Sequence, residues 1–215
     1  MSENEATGVV IGDEAVNACM ALIAERGWFG FTLRDVATRS GRDLPSLFCA
    51  YPSKLALLRG FLGALDASLL AGGAPGLDES ARDRLFDVMM RRFDLLRPYR
   101  NAIDSMRRDL RRDPLTAMLL ARAVERSMIA VLEAADLPAD GVGGRLRRRG
   151  LMLVEARVVP VFCADDSADL GKTMSALDRH LKAGERWMAG LSRWLPRTRP
   201  AASDGSRSTN GTASP

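Results

Sequence analysis

The sequence predicts an all-α protein, and three observations carry that expectation. Apolar residues recur at spacings of three, four and seven over most of the chain. No stretch keeps the apolar/polar alternation of a half-buried strand. Gly, Pro, Asp and Ser fall where such helices would need to start and stop.

Residues 13–26, DEAVNACMALIAER, set Val16, Cys19, Met20 and Ile23 on one face, with Gly27 as the stop. Thr32, with Asp35 three residues on, forms a capping-box pattern that opens a short helix through Arg39, and Gly41 suits a left-handed stop. A second short helix is expected from Leu44 to Tyr51. Its Leu44, Leu47, Phe48 and Tyr51 share one face and should point inward. Ser53 is the N-cap expected for a longer helix striped by Leu58, Phe61, Leu62, Leu65 and Leu69.

AGGAPG, residues 71–76, breaks the pattern and reads as a domain boundary. Beyond it, Leu85, Val88, Met89 and Leu96 mark another helix, and Pro98 fits the first turn of the next. Asp113-Pro114 is an N-cap followed by an N1 proline, opening a long helix to about Ala135. LPADGVGG, residues 137–144, reads as a loop. Residues 145–163 form an apolar helix that Pro160 should kink or end. ADDSAD, residues 164–169, caps a last helix to about Leu195, with Asp165 and Asp166 as helix-start residues. The expected organisation is a disordered start over 1–12, domains over 13–71 and 77–195, and a tail over 196–215 too polar to bury.

That last helix carries two rows spaced by seven. One is Leu170, Leu177, Gly184 and Leu191; the other is Met174, Leu181, Met188 and Leu195, with Trp187 and Trp194 widening the end. A seam of this kind joins either two subunits or one helix to its own core. As a homodimer interface it would use Leu170, Met174, Leu177, Leu181, Met188, Leu191, Trp194 and Leu195.

The chemistry is bounded as well. One histidine, His180, rules against a His-based triad or a multi-His metal site. Three scattered cysteines without a CxxC suggest reduced thiols and a cytoplasmic protein. No apolar run is long enough to span a bilayer. Nothing in the pattern supplies a nucleophile, a base, a metal or a cofactor, so no enzyme is expected. The net charge of +4 and pI near 9.3 suit a nucleic-acid partner. Yet the first 70 residues hold six basic side chains against eight acidic ones, and the Arg surplus lies in RRFDLLRPYR, RRDLRRD and RLRRR further on.

Three short helices with a glycine turn before the third match a helix-turn-helix. The run from ALIAERGWFGFTLRDVATRSG through LPSLFCAYPSKLALLRGFL resembles the amino-terminal domain of TetR-family transcriptional regulators. The pattern falls on Gly27, Thr32, Val36-Ala37, Gly41, Pro45, Ser46, Leu47, Phe48, Tyr51 and Lys54. It covers about 50 residues. The resemblance implies a TetR-like all-α fold, with a three-helix DNA-binding head and a larger helical ligand-binding and dimerisation domain. It implies a dimer on double-stranded DNA, released by a small apolar effector. Thr32 and Lys54 would hold phosphates, Ser46 and Arg42 would face the groove, and Pro45, Phe48 and Tyr51 would complete the surface. Two departures stand out. Arg42 replaces a usual inward Val, and Phe48 replaces a Tyr whose hydroxyl touches phosphate.

The carboxyl half is similar to the TetR-fold lipid-binding accessory protein of ubiquinone biosynthesis, through RLFDVMMRRFDLLRPYRNAI and ARVVPVFCADDSADLGKTMSALDRHL. That family is not a repressor, so residues 32–54 read either as a DNA-binding element or as a scaffold. Under the second reading the Trp-rich ERWMAGLSRWLPR, residues 185–197, would rest on a membrane surface. Met118, Met128, Met152, Phe162 and Met174 would line a ligand pocket or simply form core. Glu155 and Arg157 would meet a ligand's polar head, face solvent, or face each other.

Overall fold

The computed structural model describes residues 11–73, 76 and 78–192, with side chains described as far as residue 186. Among the described residues there are nine α-helices and no strand. They are α1 (Glu14–Arg26), α2 (Leu33–Ser40), α3 (Leu44–Ala50), α4 (Lys54–Ala71), α5 (Ala81–Leu96), α6 (Arg100–Asp109), α7 (Pro114–Ala134), α8 (Gly141–Cys163) and α9 (Gly171–Ser192). The fold is all-α: α1–α3 form a small head, α5–α9 a larger body, and α4 runs from one into the other.

The local signals act where the residues place them. Asp13 caps α1 by accepting from the Val16 N–H, and Ser53 caps α4 through the Ala56 N–H. Thr32 and Asp35 close a full capping box on α2. Gly41 ends α2 with φ +68°, a left-handed conformation that spares glycine the Cβ penalty. Asp113 accepts from Thr116 N–H to start α7 behind Pro114. Asp165 is fully buried. It accepts from the N–H and Oγ1 of Thr173 in the first turn of α9, at 2.8 and 2.7 Å.

Several boundaries differ from the expectation. Ile11 is fully buried and donates its N–H to the Tyr99 hydroxyl at 2.8 Å, so ordered structure begins before residue 13. Pro98 lies in a 3₁₀ turn, Arg97–Tyr99, that precedes α6 rather than in α6 itself. α8 begins at Gly141, inside the stretch expected to be a loop, because Asp140 serves as its N-cap residue and the bare Gly144 lets the helix lie against Ala139. Pro160 does not end α8. It falls in the last turn, with only three residues to follow, so little helix remains for its missing N–H to disrupt. α4 ends at Ala71, at the expected break, and packs on both α1 and α7.

One core runs through head and body. Val16, Leu22, Ile23, Val36, Leu47 and Leu57 close the head; Met89, Phe93, Met128, Val131, Val158 and Phe162 close the body. The seven-spaced rows of α9 correct the subunit reading in part. Leu170, Leu177 and Leu181 are buried in the chain's own core, against α8 and α5. A leucine fully enclosed within one chain has no surface left for a partner. Met174 is the exception, 41% exposed. Side chains of Met188 and Leu191, and Trp194 and Leu195 altogether, lie outside the described residues, as do most of 185–197's side chains and the tail.

Candidate nucleic-acid interface

The site is built on α2 and α3. α3 has only seven residues and buries a single side chain, Leu47. Leu44 and Tyr51 are half-buried beside it. Phe48, expected to face inward with them, is 55% exposed. A helix anchored by so few contacts stands out from the head. Pro45, Ser46, Phe48, Cys49 and Ala50 all face outward. Asp43 fixes its start by accepting from the Ser46 N–H at 2.9 Å, and that hydrogen-bonded pairing holds the Asp43 carboxyl below its ordinary pKa. Between α2 and α3 lies an open depression of about 560 Å³ lined by Thr32, Leu33, Arg34, Leu44, Pro45 and Phe48.

Most polar residues expected at this surface are engaged inside the head. Thr32 is exposed, but its Oγ1 donates to Asp35 Oδ2 at 2.6 Å and its N–H donates to the same oxygen at 2.7 Å. Arg42 reaches back to Asp13 Oδ2 at 3.1 Å, and the Tyr51 hydroxyl donates to the same Asp13 oxygen at 3.2 Å. Arg42 therefore replaces the inward Val by a salt bridge, away from the groove-facing side of α3.

Lys54 requires the largest correction. Its Nζ donates to Trp28 O at 2.5 Å and Phe31 O at 3.2 Å, and lies 4.7 and 4.4 Å from the centroids of the Trp28 and Phe31 rings. Burial pushes its pKa below the ordinary lysine value. Two of the ammonium's three N–H donors are thus taken by carbonyls, with two aromatic faces beside it. Lys54 pins the α1–α2 loop to the start of α4 through these two carbonyls.

Among the described residues, Arg34 and Arg59 are the head's basic side chains without a carboxylate or carbonyl partner; Arg26 pairs with Asp35 at 3.4 Å and Arg39 with Glu25 at 2.6 Å. Arg34 was not singled out by the sequence. Its signal was its place two residues after the cap Thr32, where a side chain points out from the first turn of α2.

In the body, the residues expected at a ligand pocket do not share one environment. Met118 is 46% exposed on α7 and Met174 is exposed on α9, while Met128 and Phe162 are fully enclosed and Met152 is half-buried. Phe162 packs on Phe93, ring centroids 5.2 Å apart, as core does. Glu155 and Arg157 part company. Arg157 faces solvent, whereas Glu155 is buried and accepts from Arg92 Nε at 2.9 Å.

Asp109 and Tyr99 add long-range hydrogen bonds between body and head. Asp109, ending α6, accepts the Trp28 N–H, and Tyr99 bridges Ile11 and Asn17 Oδ1, the latter at 2.7 Å. Sequence inspection had no means of pairing them, since each spans more than 80 residues.

A solved structure shares this all-α fold. A TetR transcriptional regulator from Nitrosomonas europaea ATCC 19718 aligns with TM-score 0.63 at 22% identity, over 80% of this chain and 96% of that one. A TetR transcriptional regulator from Rhodococcus sp. RHA1 aligns with TM-score 0.49 at 18% identity, over 80% and 93%. No protein-family model matches the chain, and no curated protein does.

Proposed function

We propose that this chain is a ligand-responsive transcriptional regulator that binds operator DNA as a homodimer through its helix-turn-helix. The observation that supports this most is the outward stance of α3, from Pro45 to Ala50, whose start is set by the Asp43 cap. Two copies related by a two-fold axis would place their α3 helices in successive major grooves, about 34–36 Å apart. Arg34 and the backbone at the α2 and α3 starts would touch phosphates, and Ser46 with Phe48 would meet base edges. The effector would bind the body and favour a spacing of the heads that no longer matches the groove repeat. It acts only through its differential affinity for the two spacings.

The outer face of α9 around Met174, with Leu153 of α8, would contribute to the dimer surface, since both are exposed apolar residues on paired helices. The test is selection of genomic fragments on immobilised full-length protein at two salt concentrations, with extraction of co-purified lipid. Enrichment of discrete fragments, weaker at higher salt, supports the regulator. Extractable lipid with no duplex retained at either salt overturns it in favour of a lipid-binding accessory role.

A further inference from the structure

The outward side of α3 has little with which to hydrogen-bond a base. Pro45, Ser46, Phe48, Cys49 and Ala50 are exposed, and among these the Ser46 hydroxyl is the one strong hydrogen-bonding side-chain group. A hydroxyl both donates and accepts, so it suits several base edges and separates them poorly. The longer polar side chains around the helix are committed elsewhere. Arg42 and the Tyr51 hydroxyl both reach Asp13, and Asp43 holds the Ser46 N–H as the cap of α3.

What α3 offers instead is apolar surface. Phe48 is 55% exposed. With Leu44 and Pro45 it forms one wall of the depression between α2 and α3, and Thr32, Leu33 and Arg34 form the other. A lone exposed phenylalanine is common on protein surfaces. This one continues into an apolar depression, and Arg34 on the facing wall is exposed and has no carboxylate partner among the described residues. Apolar surface beside an unpaired cation complements a base edge beside a phosphate. In the major groove, thymine is the base that presents an apolar group, its C5 methyl; the other three are told apart there by donors and acceptors.

We propose that α3 reads the C5 methyl groups of thymines, with Phe48 and Pro45 as the contact residues, while Arg34 holds the phosphate backbone across the depression. This rests on the reading of the helix-turn-helix as a DNA-binding element, and it assigns that element its specificity. The half-sites are marked by thymines and not by guanines, whose O6 and N7 are read by Arg or Lys.

The experiment measures the affinity of the full chain for the genomic fragments it selects, each resynthesised as a duplex with uracil in place of thymine. That exchange deletes the methyl group and keeps every base pair. Burying one methyl contributes about fourfold in affinity, so losing one contact in each of two half-sites should weaken binding at least about tenfold. A duplex that the protein does not select is held through its phosphates and should change by less than about twofold on the same exchange. Phe48 is exposed, so Phe48→Ala opens no cavity in the core. It should bring the thymine and uracil duplexes within about threefold of each other, and adding Pro45→Ala should remove the remaining difference. Ser46→Ala should leave the ratio of the two as in the parent. Selected duplexes that bind equally well with uracil, or a uracil penalty that survives the Phe48→Ala, Pro45→Ala double variant, overturns the proposal and leaves the regulator standing. If the parent chain selects no fragment, the regulator reading falls and this assignment falls with it.

Discussion

Asp109 Oδ2, at the end of α6, accepts the backbone N–H of Trp28 at 2.7 Å, joining two residues 81 apart in sequence. Trp28 in turn offers its carbonyl to Lys54 Nζ. One short loop therefore takes a bond from the body on one side and from α4 on the other. Gly27 beside it has φ +73°, and a Cβ there would lie 2.7 Å from the same Asp109 oxygen. The loop's glycine is required both for its backbone angle and for the close approach of that carboxylate.

Asp109→Ala should leave the Trp28 N–H without its partner and cost about 1–3 kcal/mol of stability. Hydrogen exchange should quicken at residues 27–31 by more than in α7. Uniform acceleration across the chain would mean that Asp109 supports the whole fold and not the junction.

Lys54→Met should retain the packing of the stem against Trp28 and Phe31 but lose both carbonyl bonds. Stability should fall by about 1–2 kcal/mol, with little change in the salt dependence of duplex retention. Arg34→Ala should do the reverse: stability close to the parent, weaker retention on every sequence, and a salt slope lower by about one. A lowered slope from Lys54→Met alone would return the phosphate contact to that residue.

On α9, Leu177→Ala opens a cavity in the chain's own core and should destabilise it by about 2–5 kcal/mol. Met174→Glu places a charge on the outer face. It should leave the melting temperature of the single chain near the parent value while shifting light scattering toward monomer. If Leu177→Ala dissociates a dimer without lowering stability, the seam belongs to the interface after all.

His180 is the chain's one histidine, so its titration can be isolated. Burial, then Arg179 and Arg157, lower its pKa below the ordinary 6.5. The unfolded chain then binds the proton more readily than the folded one. Stability should be complete above about pH 6.5 and should decline as pH falls from there through the lower folded value. His180→Gln should flatten the curve in that window. A slope unchanged by the substitution would assign it to carboxylates.

Local chemistry was legible in the sequence because it acts within a few residues. The capping box Thr32–Asp35, the left-handed Gly41, the Asp113-Pro114 start and the Ser53 cap each depend on neighbours three or four positions away. Helix starts and the all-α class follow from that range of interaction. Boundaries such as Gly141 were less legible. They turn on contacts with other segments, as Gly144 has with Ala139.

What the amino-acid order alone determined was which segments coil and where they stop, together with the outline of the helix-turn-helix. Tertiary structure decided how each polar side chain is used. Whether Lys54 meets a phosphate or a carbonyl, whether Arg42 faces a groove or Asp13, and whether Glu155 lies beside Arg92 or in water depend on residues brought close from far along the chain. A side chain's hydrogen-bonding capacity is small and is taken by whatever partner the packed fold brings within 3 Å or so, and periodicity carries no record of that partner.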